Sequence, residues 1–176
     1  MEKLDNILVI AGSGQNVGKT TLACQILQNE KEKSPVALKI TPHFHKITKG
    51  LTEIQKGKNW ALFEEKDKTS GKDSSRYLQN GAVKSYLILA KDDTLENAFS
   101  AIKKILPNKI PVVVESASLV KIIKPGLFLV VLPDGGFSQK AMERILLKAD
   151  LVVISDGKKF YPSPQKLIFK NTWQMK

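Results

Sequence analysis

The chain has 176 residues, of which 42% are hydrophobic and 26% charged, and this balance is typical of a folded globular protein. Its single cysteine, Cys24, excludes an intramolecular disulfide scaffold. The net charge is +11, but only Arg76 and Arg144 are arginines. A lysine-rich surface favours solubility or attraction of small anions such as nucleotides over nucleic-acid recognition, which relies on arginine for bidentate contacts. The alternative is a regulatory switch protein that associates with nucleic acid through its lysines.

The amino-terminal segment and the hydropathy pattern bear on location. The apolar run before Gly12 is too short for the core of a signal peptide, and no run approaches the roughly 20 apolar residues of a membrane helix. We therefore expect a cytoplasmic protein that does not enter a membrane.

Short apolar segments alternate with amphipathic ones along the chain. The predicted strands are 4–11, 36–41, 85–90, 111–116, 127–134 and 150–155, and the predicted helices are 21–31, 74–82, 94–106 and 138–149. Residues 42–73 form a lysine-rich insertion, in which 60–65 is expected to be an edge strand or one arm of a hairpin. The short segment 167–170 is expected to pair at a sheet edge.

The predicted strands are almost continuously apolar, which indicates burial on both faces. The sequence therefore predicts an α/β fold: a mostly parallel, doubly wound sheet with helices on both faces, in one nucleotide-binding domain over 1–176. Ligands of such folds bind at the carboxyl ends of the strands.

A glycine-rich loop, GSGQNVGKTT over 12–21, joins the first predicted strand to the first predicted helix. In this context the pattern is typical of a phosphate loop (Walker A), whose backbone N–H groups and helix amino terminus hold phosphate oxygens. Lys19 can reach the β- and γ-phosphates, and the Thr20 hydroxyl can bind Mg²⁺. The predicted phosphate-binding residues are Gly14, Gln15, Asn16, Val17, Gly18, Lys19, Thr20 and Thr21.

The loop departs from the usual spacing at one position. The pattern G-x-x-x-x-G-K-[ST] requires glycine at position 13, where this chain has Ser13. Gly12 lies one residue earlier, so we expect a loop that is one residue longer than usual.

Three carboxylates, Glu115, Asp134 and Asp156, follow apolar strands. Glu115 is expected to hold Mg²⁺, directly or through water, or to position an attacking water, which makes it a candidate catalytic residue with Lys19. Asp156 follows the last predicted strand, where it could accept hydrogen bonds from a guanine ring or serve only as a turn residue.

Three segments of the sequence resemble the molybdopterin-guanine dinucleotide biosynthesis protein B family of small P-loop NTPases. They are VIAGSGQNVGKTTLACQIL (9–27), ALKITPHFHKI (37–47) and GKDSSRYLQNGA (71–82), and together they cover roughly the first half of the chain. The strand end VVVES also fits, although the family tends to have glycine where this chain has Ser116.

This resemblance implies GTP binding with Mg²⁺, at most slow GTPase activity, a homodimer, and an accessory role in attaching a guanine nucleotide to molybdopterin. The partners would be molybdopterin and its guanylyltransferase. By position, Lys19 and Thr20 would hold phosphate and metal, while His43, Asp73 and Arg76 would lie near the nucleotide or the partner cofactor.

The longer loop is also similar to that of dethiobiotin synthetase, which has G-x-x-x-x-x-G-K-T with valine at the position of Val17. This second resemblance implies an ATP-dependent ligase or kinase that acts on a small molecule. The sequence lacks an Asn-Lys-x-Asp guanine motif, so the choice between GTP and ATP stays open.

Other interpretations of the secondary candidates remain open. His43 and His45 could face a ligand or simply lie at the surface, and two imidazoles alone rarely make a metal site. Asp73 or Ser74 could cap the following helix, with Arg76 on its solvent face.

Trp60 and Phe63 alternate within the charged insertion, so that both faces of 60–65 carry apolar side chains. They are expected to pack against this domain or against a second subunit.

Overall fold

The structure is a computed structural model that describes residues 1–136 and 140–176. The strands are β1 Glu2–Gly12, β2 Val36–Thr41, β3 Leu51–Gly57, β4 Trp60–Glu65, β5 Lys84–Ala90, β6 Val112–Glu115, β7 Ile123–Pro133, β8 Leu151–Ser155, β9 Phe160–Tyr161, β10 Leu167–Lys170 and β11 Thr172–Met175. The helices are α1 Lys19–Asn29, α2 Asp73–Gln79, α3 Leu95–Lys103 and α4 Lys140–Leu146. The first two residues of the predicted helix 138–149 lie outside the described residues.

A nine-stranded mixed sheet organises the chain, in the order β3-β4-β5-β2-β6-β1-β7-β8-β9. Six neighbouring strands of this sheet, in the order β5-β2-β6-β1-β7-β8, pair in parallel. The outer strands β3, β4 and β9 pair antiparallel to their neighbours. The predicted α/β fold with a mostly parallel sheet is therefore confirmed. The near-continuous apolar strands explain it, because parallel strands are covered on both faces.

Each face of the sheet carries its own hydrophobic core. One core packs α3 and α4 against side chains such as Val9, Leu38 and Val130, and the other packs α1 and α2 against side chains such as Leu8 and Ile10. Alternate residues of a strand point to opposite faces, which is why neighbours in β1 belong to different cores. Within the described residues, no helix is long and apolar enough to span a bilayer.

The lysine-rich insertion contributes two strands to one side of the sheet. Segment 60–65 forms β4, which pairs with β3 in an antiparallel hairpin, and β3 rather than β4 is the edge. Trp60 packs in the core beneath α3, and Phe63 packs with Leu87 and Leu89 on the opposite face. Both aromatic side chains are buried within this chain, so neither needs a second subunit to cover it.

Segment 167–170 forms a strand, as expected, but it pairs outside the main sheet. This segment forms β10, which pairs with β11 in a separate two-stranded sheet. Phe169 and Trp173 bring their ring centroids to 5.5 Å, and the Trp173 indole Nε1 donates to the Asn6 carbonyl at 2.8 Å. The aromatic pair supplies the burial that holds this hairpin on the α1 side of the sheet.

Candidate functional site

The loop between β1 and α1 is shaped by residues that tolerate a left-handed backbone. Asn16 has φ +59° and Gly18 has φ +95°, a region that glycine and asparagine enter at low cost. A side chain at Gly18 would also come within 3.0 Å of the Ser155 hydroxyl and 3.1 Å of the Phe160 ring. The end of β8 and the start of β9 therefore border the loop.

Gly12 is the sterically constrained glycine at the start of the loop. A Cβ at this position would lie 2.8 Å from Val17 Cγ2 and 3.0 Å from the Lys19 side chain, whereas a Cβ on Gly14 would meet nothing within 4 Å. The close approach that requires glycine thus occurs at position 12. Five residues separate Gly12 from Gly18.

The amino terminus of α1 faces the loop without a side-chain cap. Gly18 occupies the N-cap position and no side chain accepts from the first-turn N–H groups. These donors and the positive end of the helix dipole are suited to an anion. Lys19 lies beside them and its ammonium donates to the Gly14 carbonyl, while burial lowers the pKa of Lys19.

Glu115 is the centre of a polar network at the carboxyl end of the sheet. Its Oε2 accepts from the Thr20 hydroxyl at 2.8 Å and from the Tyr77 hydroxyl at 2.6 Å. Its Oε1 accepts from Lys39 Nζ at 3.2 Å, and the Lys39 ammonium also pairs with Asp73. The carboxylate is buried, so these donors satisfy a charge that would be costly without them.

The pairing of three strands explains how this network forms. Glu115 on β6 lies in register with Lys39 on β2 and with Ile10 on β1, the strand that leads into the loop. Burial alone lowers the pKa of Lys39, but the charges and hydrogen bonds of Glu115 and Asp73 outweigh it, and the net shift is upward. Lys39 is therefore held as a cation beside the loop.

Helix α2 contributes three side chains to the same site. Asp73 pairs with Lys39, Arg76 Nη2 donates to the Thr21 hydroxyl at 3.4 Å, and Tyr77 reaches Glu115. Tyr77 is fully buried, and this burial, together with the Glu115 charge, raises its pKa well above the ordinary value.

The alternative in which Asp73 or Ser74 only caps α2 is wrong. The N-cap position belongs to Lys72, with no side-chain cap, and the Ser74 hydroxyl donates to Glu65 at 2.8 Å. The structure thus places Arg76 against Thr21 at the start of α1, and Asp73 against Lys39 of the neighbouring strand.

His43 and Asp156 are not joined to the Glu115 network. His43 is exposed, and its backbone N–H donates to the Thr41 hydroxyl. Asp156 lies next to the loop border, but its carboxylate accepts from the N–H groups of Lys158 and Lys159 at 2.8 and 2.6 Å. These backbone hydrogen bonds lower the pKa of Asp156 and occupy one carboxylate oxygen in its own turn.

The oxygen donors at this site suit a hard cation completed by a ligand. No cluster of three or more His, Cys, Asp and Glu side chains occurs in 1–136 and 140–176, so the described residues hold no metal cage built from such side chains. The Thr20 hydroxyl and the Glu115 carboxylate meet at the loop and are oxygen ligands of the kind that Mg²⁺ takes. Mg²⁺ commonly takes one or two protein oxygens, and phosphates and water complete its shell.

Sequence reasoning missed Lys39 and Tyr77 as members of the site. Lys39 interrupts the apolar strand VALKIT, and an unexplained charge in a buried strand is the signal that could have identified it. Tyr77 gives no such signal, because an aromatic residue on an amphipathic helix is equally typical of a core.

The comparisons with known proteins leave the family of this chain undefined. The chain matches no protein-family model, no curated protein and no solved structure. The class that the fold defines is α/β, with a nine-stranded, mostly parallel sheet and a polar network at the carboxyl ends of its central strands.

Proposed function

We propose that this chain is a P-loop NTPase-type protein that binds the triphosphate of a purine nucleotide, with Mg²⁺, at the loop over 12–20. One observation carries the proposal: the uncapped start of α1, the Lys19 ammonium and the Thr20–Glu115 pair all meet at the end of β1. This combination offers backbone donors, a cation and oxygen ligands together, which a triphosphate with its metal requires.

The contacts define a role for each group. Lys19 exchanges the Gly14 carbonyl for phosphate oxygens, which are stronger acceptors because they are charged. The Thr20 hydroxyl and Glu115 would hold Mg²⁺, Glu115 either directly or through water. The metal would neutralise negative charge that develops on the phosphates.

The nucleotide and the biological context are proposed from the sequence resemblance. We infer GTP as the ligand, with at most slow hydrolysis, and an accessory role in the synthesis of molybdopterin-guanine dinucleotide in the cytoplasm. Molybdopterin and its guanylyltransferase are the proposed partners, and a homodimer is the proposed assembly. Asp156 would contact the base, and His43 would contact the nucleotide or partner.

A second candidate function is an ATP-dependent ligase or kinase for a small molecule. The observation that favours it is Lys39, a cation kept charged by Glu115 and Asp73 on the α2 side of the loop. A cation beside the terminal phosphate would stabilise the negative charge of a group in transfer.

Calorimetric titration of GTP and of ATP, each with Mg²⁺, tests both candidates on the native chain. Lys19→Ala is expected to abolish binding of the favoured nucleotide. The matched control is Lys31→Ala, because Lys31 is an exposed lysine beyond the far end of α1.

The outcomes separate the proposals. Tighter binding of GTP than of ATP would support the accessory role. Tighter binding of ATP would support the ligase or kinase function instead. Binding of neither nucleotide, or equal binding by the native chain and Lys19→Ala, would contradict the proposed phosphate site itself.

A further inference from the structure

A groove with an apolar floor and a basic rim runs along the α3/α4 side of the sheet, away from the phosphate loop. It consists of two adjoining cavities of about 410 and 480 Å³ that share Val120 and Lys148. We call it the basic groove. Its lining includes Val120, Lys124, Arg144, Ile145, Leu147 and Lys148.

Four parts of the chain build the groove. The 3-10 turn Leu119–Lys121 crosses the face after β6, the end of α4 lies opposite, and the first residues of β1 and β7 close the lower end. The second cavity therefore lies at the amino ends of the strands, whereas the proposed nucleotide site lies at their carboxyl ends.

The apolar part of the groove includes a large exposed side chain. Leu147 is 88% exposed at the end of α4, next to the partly buried Ile145 and the buried Val120. An exposed leucine at the mouth of an apolar groove is a favourable anchor point, because covering it removes apolar surface from water.

Most of the charged side chains that line the groove are positive. Lys124, Arg144 and Lys148 are exposed, and no ion pair is recorded for them among the residues that the structure describes. The lining acid is Asp150, whose carboxylate accepts from the Phe128 N–H at 2.7 Å. The lining of the groove therefore carries a net positive charge around an apolar floor.

This arrangement points to a particular kind of occupant. A symmetric contact with the basic groove of a second copy is disfavoured, because it would bring the like charges of the two rims together. A free polyanion would match the rim but would leave the apolar floor and Leu147 exposed. We propose that the basic groove docks an acidic segment of a protein partner, with apolar side chains of that segment covering Leu147 and Val120. This inference is independent of the proposed nucleotide site.

The test uses synthetic peptides and fluorescence anisotropy on the full chain. The probe is a short labelled peptide in which glutamates alternate with leucines. Its comparison peptides carry lysine in place of glutamate, or serine in place of leucine. The native chain is expected to bind the glutamate–leucine peptide and to bind neither comparison peptide measurably in the same range.

Two variants locate the binding surface. Charge reversal of Lys124, Arg144 and Lys148 to Glu is expected to weaken binding of the glutamate–leucine peptide by more than about tenfold. The control reverses Lys49, Lys58 and Lys84, three exposed lysines on the β3–β5 side of the sheet, and makes the same change in net charge. It should leave affinity within about threefold, because exposed charges beyond a Debye length are largely screened.

Leu147→Ser tests the apolar anchor. Because the Leu147 side chain is exposed, we expect this substitution to leave the fold intact. It is expected to weaken peptide binding about tenfold. Equal losses in the two triple variants, equal affinity for the serine peptide, or unchanged affinity in Leu147→Ser would each overturn the proposal. Circular dichroism of each variant verifies that it is folded.

Discussion

The Glu115 network and the basic groove treat charge in opposite ways. At the carboxyl end, Glu115, Lys39 and Asp73 are partly or fully buried and satisfy one another around a glycine loop. In the basic groove, Arg144 and Lys148 are exposed beside apolar side chains, and neither forms an ion pair with a residue that the structure describes. Paired, buried charge is typical of a preorganised site for a small ligand, whereas exposed and mainly positive charge is typical of a surface that meets an anionic partner.

The largest effect on stability should come from breaking the buried network. Glu115→Ala leaves the Tyr77 hydroxyl without its partner and deprives Lys39 of one of two carboxylates, so we expect a loss of about 2–3 kcal/mol in the free energy of unfolding. Urea titration measures it. The control is Asp92→Ala, because Asp92 pairs with Lys121 on the exposed surface. It should cost less than about 1 kcal/mol, and equal costs would contradict the contrast.

Gly12→Ala should weaken nucleotide binding by about tenfold or more, because the new Cβ overpacks the loop against Val17 and Lys19. Gly14→Ala is the matched control, since a Cβ there meets nothing within 4 Å. Calorimetry measures both affinities. If Gly14→Ala proved the more damaging of the two variants, the constrained glycine of the loop would lie at position 14.

Tyr77→Phe removes one donor from Glu115 and leaves the Thr20 and Lys39 contacts in place. We expect a loss of about 1 kcal/mol in the free energy of unfolding. Tyr161→Phe is the control, because Tyr161 is 78% exposed. A Tyr77→Phe variant as stable as the native chain would show that this buried hydroxyl contributes nothing to the network.

A smaller effect concerns pH and the loop lysine. Burial lowers the pKa of Lys19 from 10.5, so its charge is lost at lower pH than for an ordinary lysine, and nucleotide affinity should begin to fall below pH 10.5. Arginine stays charged throughout this range. The affinity of Lys19→Arg, measured by calorimetry across the same pH values, should therefore stay level. Parallel profiles for the two proteins would exclude Lys19 as the titrating group.

The loop and Glu115 could be predicted from the sequence, because local patterns in the sequence mark them. The run of apolar residues in β1 and the GKTT segment after it place the loop, and VVVE places Glu115 at the end of the neighbouring strand. The order of these segments predicts that they meet, since the carboxyl ends of parallel strands lie at one edge of a sheet.

The rest depends on contacts between distant segments. The partnership of Lys39 with Asp73 spans two elements and becomes visible only when β2 and α2 are packed together. Strand β3 contains mostly polar residues, so no apolar alternation marks it as a strand. The basic groove combines residues from the turn after β6, the end of α4 and the starts of β1 and β7, and no local pattern in the sequence indicates that these segments meet.

A crystal structure of the chain with Mg²⁺ and a non-hydrolysable GTP or ATP analogue tests the central claim most directly. We expect phosphate oxygens within hydrogen-bond distance of the backbone N–H groups over 14–19 and of the Lys19 ammonium, with Mg²⁺ beside Thr20. A nucleotide bound instead in the basic groove, against Arg144 and Lys148, with the loop unoccupied, would contradict it.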